Sequence, residues 1–162
     1  MNRRRLVLLS AAFVVVAHSG CTRTIPEEGP LQAISDKDKV QVTGEYKRIH
    51  LEAVERVSID GDKFVVHGPS GSVAVDLPAD ADPDLKNRGW ALVTEGEGEG
   101  TRTLTFTQET SLEDFTVTVP AAEGQIAYGS LGAREGSDVL LFAYGSGSKT
   151  YWGWAKVVRG ER

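Results

Sequence analysis

Apolar and polar side chains alternate with a period of two along most of this chain from Val40 onward, and glycine-rich turns interrupt the alternation at short intervals. A period of two sends successive side chains to opposite faces of a strand, so the pattern specifies β-structure and leaves little room for helices. "KVQVTGEY" alternates at Val40 and Val42, and Ile49, Leu51, Ala53, Val57 and Ile59 keep odd parity, which predicts one long strand or two collinear ones. "IDGDKF" reads as a hairpin with Asp60-Gly61 at the turn. "KFVVHG" and "SVAVDL" follow, joined by Gly68-Pro69-Ser70-Gly71. "WALVT" and "TRTLTFTQ" flank residues 95–100, and "DFTVTV" alternates at Phe115, Val117 and Val119. "DVLLFAY" is apolar on both faces, the signature of a strand covered on both sides, and the turn "GSGSK" leads into "TYWGWAKVV". Only residues 83–87 and 111–114 offer a helical turn. Roughly nine antiparallel strands at 8–12-residue spacing predict a single all-β domain over residues 40–162, a barrel or a sandwich. The long opening strand followed by hairpins suits a small OB-like barrel.

The residues before Val40 have a different character. Met1-Asn2-Arg3-Arg4-Arg5 brings three positive charges, and residues 6–17, "LVLLSAAFVVVA", form an apolar run. That run is shorter than the roughly 20 residues a membrane-spanning helix needs, and with its basic start it reads as a secretory signal over residues 1–20. The single cysteine, Cys21, excludes an intramolecular disulfide and a multi-cysteine zinc site. Residues 22–39, "TRTIPEEGPLQAISDKDK", are polar and broken by Pro26, Gly29 and Pro30, which predicts a flexible tether over residues 21–39.

"SGC" at Ser19-Gly20-Cys21 resembles the last three positions of the bacterial lipoprotein signal, with His18 where that family usually has an apolar residue. The resemblance implies cleavage before Cys21 and acylation of Cys21 with palmitate-class chains. It implies a membrane partner through that lipid, and a lipid-anchored place in the cell envelope. With Thr22 rather than an acid after the cysteine, the family's sorting rule implies the outer membrane if the host has one. Two or more acyl chains make a lasting tether where one does not. Ordinary cleavage after Ala17-His18-Ser19 is the alternative and leaves Cys21 as a free thiol. "NRRRLV" also fits a loose twin-arginine pattern, so both export routes stay open. Within the domain, "FVVHGPSGSVAVD" (residues 64–76) resembles the hairpin of GIDE-type membrane-associated β-domains, which implies a β-barrel and no particular activity.

Charge narrows the partners. Loss of the three signal arginines leaves 15 basic against 23 acidic residues, so the net charge moves from −5 to −8. Nucleic acid, which calls for a basic face, is not an expected partner. No cofactor is expected either: "YGSGSKTY" has Ala143 and Ser148 where a phosphate loop needs glycine, and a strand follows where that loop needs a helix. Ser146-x-x-Lys149 lacks the helix and companion motifs of a serine–lysine acylase, and "GPSGS" lacks the strand-to-helix turn of a nucleophile elbow. Asp80-x-Asp82-x-Asp84 has calcium-loop spacing, but Leu85 and Ala91 stand where glycine and the bidentate glutamate belong, so a solvated acidic loop and no metal are expected. "EGEGEG" reads as a mobile hairpin tip.

Two constellations remain. Trp152 and Trp154 share a strand face with Lys156, opposite Tyr151, Ala155 and Val157. Together with Tyr144 and Tyr151 they make a candidate surface for stacking on sugar rings; the competing expectation is that both indoles cap the core against Phe142 and Tyr144. His50 or His67 with a nearby serine would make a small hydrolase, with no third group in view. The leading expectation is a non-enzymatic envelope lipoprotein that binds or scaffolds another envelope protein or the cell wall. Glycan binding is second and hydrolysis last.

Overall fold

A computed structural model describes residues 27–36, 39–134, 136–147 and 149–159. Residues 1–26, which hold the expected signal segment and Cys21, lie outside the described residues. The domain is all-β, with β1 (Glu28–Pro30), β2 (Gln32–Ser35), β3 (Val40–Ile49), β4 (Arg56–Asp60), β5 (Lys63–His67), β6 (Ser72–Asp76), β7 (Ala81–Lys86), β8 (Trp90–Gly98), β9 (Thr101–Gln108), β10 (Asp114–Pro120), β11 (Ile126–Ala133), β12 (Asp138–Ser146) and β13 (Lys149–Arg159). They form a six-stranded sheet in the order β1-β3-β13-β12-β11-β7, a four-stranded sheet β2-β10-β9-β8 and a three-stranded sheet β4-β5-β6.

Strand β12 explains how three sheets make one domain. Leu140, Phe142 and Tyr144 enter one apolar cluster with Leu104, Phe106, Phe115, Val117 and Trp90 of the four-stranded sheet. Val139, Leu141 and Ala143, alternating with them, enter a second cluster with Phe64 and Val66 of the three-stranded sheet. The six-stranded sheet is thus the middle layer of three, and the doubly apolar "DVLLFAY" is its doubly covered strand. In the first cluster the rings run in sequence: Trp90–Phe115 at 5.2 Å, Phe106–Phe115 at 5.6 Å, Phe106–Phe142 at 6.2 Å, Phe142–Tyr144 at 6.3 Å and Tyr144–Tyr151 at 5.6 Å.

The all-β expectation holds, and among the described residues each sheet has a linear strand order with two edges, so of the two expected architectures it is the layered sandwich rather than the OB-like barrel. Among the described residues there are thirteen strands where roughly nine were expected. Residues 28–35, read as tether, supply β1 and β2, which pair with β3 and β10. Residues 83–87, where a helical turn was expected, fall largely in β7 (Ala81–Lys86), which pairs with β11 with a register shift between Leu131 and Gly132. The odd-parity run from Ile49 to Ile59 is broken: β3 belongs to the middle sheet and β4 to the three-stranded one, with Ala53 bridged to Ser146 between them. Strand β8 continues to Gly98, which shortens the glycine-rich tip to Glu99-Gly100, and the first hairpin turns on Gly61-Asp62.

Candidate functional site

The β12–β13 hairpin fixes where each aromatic of the last strand points. Register pairs Tyr151 with Tyr144 and Trp154 with Leu141. Tyr144 and Tyr151 are buried in the first cluster, against the four-stranded sheet. Trp152 and Trp154 face the other way, toward the three-stranded sheet. The four rings therefore do not share a surface, and burial removes Tyr144 and Tyr151 from contact with any ligand.

The indole pair does meet solvent-accessible space. Beside β6 the three-stranded sheet stops short of covering β13 and β3, leaving a groove of about 800 Å³. Trp152 and Trp154 lie in its floor, β3 contributes Glu45 and Lys47, and the other wall is Ala74, Val75 and Asp76 of β6 with residues 77–80. Trp152 is only 7% exposed and packs on Phe64 at 6.1 Å, so it anchors the floor as part of the core. Trp154 is half-buried and presents the accessible indole.

Charges line the rim in pairs. Lys156 Nζ meets Asp80 Oδ2 at 2.6 Å, Lys63 meets Asp76 across the β5–β6 hairpin, and Lys47 lies 3.9 Å from Glu45. The hydrogen bond from Lys156, reinforced by its charge, holds the Asp80 carboxyl below the ordinary carboxylate range, so Asp80 stays ionised at neutral pH. Asp76, by hydrogen bond and charge, raises the Lys63 ammonium pKa. A groove with an aromatic floor and a rim of ionised pairs can stack and hydrogen-bond a ligand. It holds no histidine to exchange protons near neutrality.

The serine–histidine pair sits elsewhere. Ser58 Oγ lies 2.8 Å from His67 Nε2, both half-buried on the three-stranded sheet. Among the described residues no carboxylate hydrogen-bonds the His67 ring, so nothing orients it as a triad would. His50 is exposed just beyond β3. The acidic triplet does not converge: Asp80 pairs with Lys156, and Asp82 Oδ1 accepts the Asp84 N–H at 2.9 Å. Among the described residues no three His, Cys, Asp or Glu side chains are grouped to hold a metal.

The indoles were legible in the sequence, whereas Glu45, Lys47, Lys63, Asp76 and Asp80 were not, because they come together only through non-local sheet order. Lys63 and Asp76 stand opposite each other across the "FVVHGPSGSVAV" hairpin, and that symmetry about the turn was the one available signal. No family model matches the chain, and neither the curated proteins nor the solved structures contain a match to it.

Proposed function

We propose that this is a lipid-anchored, non-enzymatic binding module of the bacterial cell envelope, tethered at Cys21 and using the Trp154 groove as its binding surface. The observation that carries the reading is where the chain leads out of the fold. Glu27, the first described residue, lies beside β3: its carbonyl accepts the Arg48 N–H at 2.7 Å and its carboxylate lies 3.3 Å from the Arg48 guanidinium. Arg48 also lines the groove. Five residues separate Glu27 from Cys21, six Cα-to-Cα steps with a reach of at most about 20 Å. A lipid on Cys21 would thus hold the groove close to the membrane, facing whatever envelope protein or wall polymer lies there.

Glycan recognition is a second reading, favoured by the half-buried Trp154 indole between the Lys156–Asp80 and Lys47–Glu45 pairs. The Ser58–His67 contact would support hydrolysis, but among the described residues no carboxylate hydrogen-bonds the His67 ring, which argues against it.

In-cell photo-crosslinking tests the module. A photoreactive residue at position 47, in the groove, is expected to give discrete adducts with envelope components. One at position 105, on the outer face of the four-stranded sheet, is expected to give none. Equal labelling at both positions, or none at position 47, would overturn the groove as the binding surface. Ester hydrolysis abolished by Ser58→Ala would overturn the non-enzymatic reading.

A further inference from the structure

Strand β6, which borders the groove, is paired only with β5 among the described residues, and the direction of its backbone groups can be read from its hairpin. Gly68 donates to the Gly71 carbonyl at 2.8 Å, and Leu77 donates to the Asp62 carbonyl at 3.2 Å. These pairs bracket the β5–β6 ladder. In an antiparallel ladder hydrogen-bonded pairs recur every second residue, so Val66–Val73 and Phe64–Val75 are the bonded pairs. The N–H and C=O groups of Ser72, Ala74 and Asp76 consequently point away from β5, toward the edge of the sheet. Ala74 and Asp76 line the groove.

The other edges of the fold carry features that discourage strand addition. Strand β1 has three residues and ends in Pro30, and β2 has four. Strand β7 contains Pro83 and meets a register shift. Strand β8 shifts register between Leu92 and Thr94 and carries Glu95 and Glu97. Strand β4 begins with Arg56 and ends with Asp60. Strand β6, "SVAVD", has five residues with no proline, glycine or register shift, and its one charge, Asp76, is tied to Lys63.

Resting on the binding-module reading, we infer that β6 is a docking edge for an extended peptide of a partner protein, which adds to the three-stranded sheet as a fourth strand and fills the groove. A strand added to β6 lies about 4.8 Å beyond it, and stacked sheets lie about 10 Å apart, so the peptide's inward side chains reach the floor of the groove. There they meet the Trp154 indole and the Lys47 and Glu45 side chains of β3. Main-chain bonds to Ser72, Ala74 and Asp76 supply affinity, and alternate side chains supply selectivity. Charge defines those side chains. Lys63–Asp76 and Lys156–Asp80 are closely paired and Arg48 is held by Glu27, whereas Lys47 is half-exposed and only 3.9 Å from Glu45, which makes its ammonium the groove cation best placed to meet a partner's carboxylate. The fitting peptide carries an apolar or aromatic residue for Trp154 and, two positions along the same face, a carboxylate for Lys47.

The test uses the purified full-length protein in detergent and random dodecapeptides displayed on phage. The selected sequence is synthesised with a fluorescent label and titrated by anisotropy. Selected peptides are expected to share the apolar-x-acid pattern, and Ala74→Pro, which removes the central outward N–H, is expected to weaken binding about tenfold or more. Proline is tolerated where a strand's N–H faces no partner. Hydrogen exchange on the unsubstituted protein reads the same edge independently of that variant: saturating peptide is expected to protect the Ser72, Ala74 and Asp76 amides. Failure to select any peptide, or binding with no added protection at those three amides, would overturn strand addition. A dimer in sedimentation that Ala74→Pro dissociates would assign the edge to a second copy of this chain instead. Binding of an N-acetylglucosamine hexamer lost in Trp154→Ala but kept in Ala74→Pro would also overturn it, while leaving the envelope-binding module standing.

Discussion

Two buried polar side chains show how single residues tie the layers together. Asp138, 1% exposed, takes three donors: Arg88 Nε at 3.1 Å, Trp90 Nε1 at 2.8 Å and Arg159 Nη2 at 3.2 Å. One carboxylate thereby joins the start of β12 to the approach to β8 and the end of β13, and burying its charge is tolerable because every donor is in place. Tyr144 donates its hydroxyl to the Pro120 carbonyl at 2.7 Å, with the Arg102 guanidinium 5.4 Å from its ring. Burial, and then Tyr151, push the Tyr144 phenol well above its ordinary value near 10, against a smaller opposing pull from Arg102. A group whose pKa is raised on folding stabilises the fold fully below the unfolded value, and that contribution is lost as pH climbs past it. Stability is therefore expected to fall above pH ~10, where only the unfolded chain releases the Tyr144 proton. Tyr144→Phe is expected to cost about 1 kcal/mol at neutral pH and to flatten the alkaline decline. Urea midpoints measured from pH 7 to pH 11 check both parts; an unchanged alkaline slope would contradict the assignment.

Among the elements, the β3–β13 pair positions the groove floor. At Gly44 a Cβ would run into the Trp154 carbonyl of the neighbouring strand, so only glycine lets the two backbones keep their register. Gly44→Ala is expected to destabilise the domain by about 1–3 kcal/mol and to shift Trp154 relative to Glu45 and Lys47. Urea unfolding reads the first effect, and the emission maximum of the tryptophans reads the second. The elements also show how far local pattern carries. The double burial of β12 and the split of the β13 aromatics between two faces follow from alternation within one strand, and both were legible. Strands β1, β2 and β7 were not, because Pro30, short length and Pro83 hide strands that exist only through distant partners. The break between β3 and β4 was invisible for a different reason: apolar parity continues across it while the chain changes sheets. The groove shared that fate, since its lining comes from β3, β5, β6 with residues 77–80, β12 and β13, which are far apart in sequence.

At the scale of the whole molecule, the described residues form an all-β domain in an acidic chain, with a groove of about 800 Å³ partly walled by β3, the strand against which Glu27 is held. That geometry gains meaning from the proposed anchor at Cys21. Without lipid on Cys21 the groove is a feature of a freely diffusing protein; with it, the groove samples a thin layer of envelope at high effective concentration. Fractionation of cells expressing Cys21→Ser is expected to move the protein from the membrane to the soluble fraction. The most direct measurement is the intact mass of the wild-type protein recovered from the envelope. The account predicts a chain beginning at Cys21 and heavier than its amino-acid sequence by two or more acyl chains. A soluble chain beginning at Gly20, with an unmodified thiol on Cys21, would contradict it.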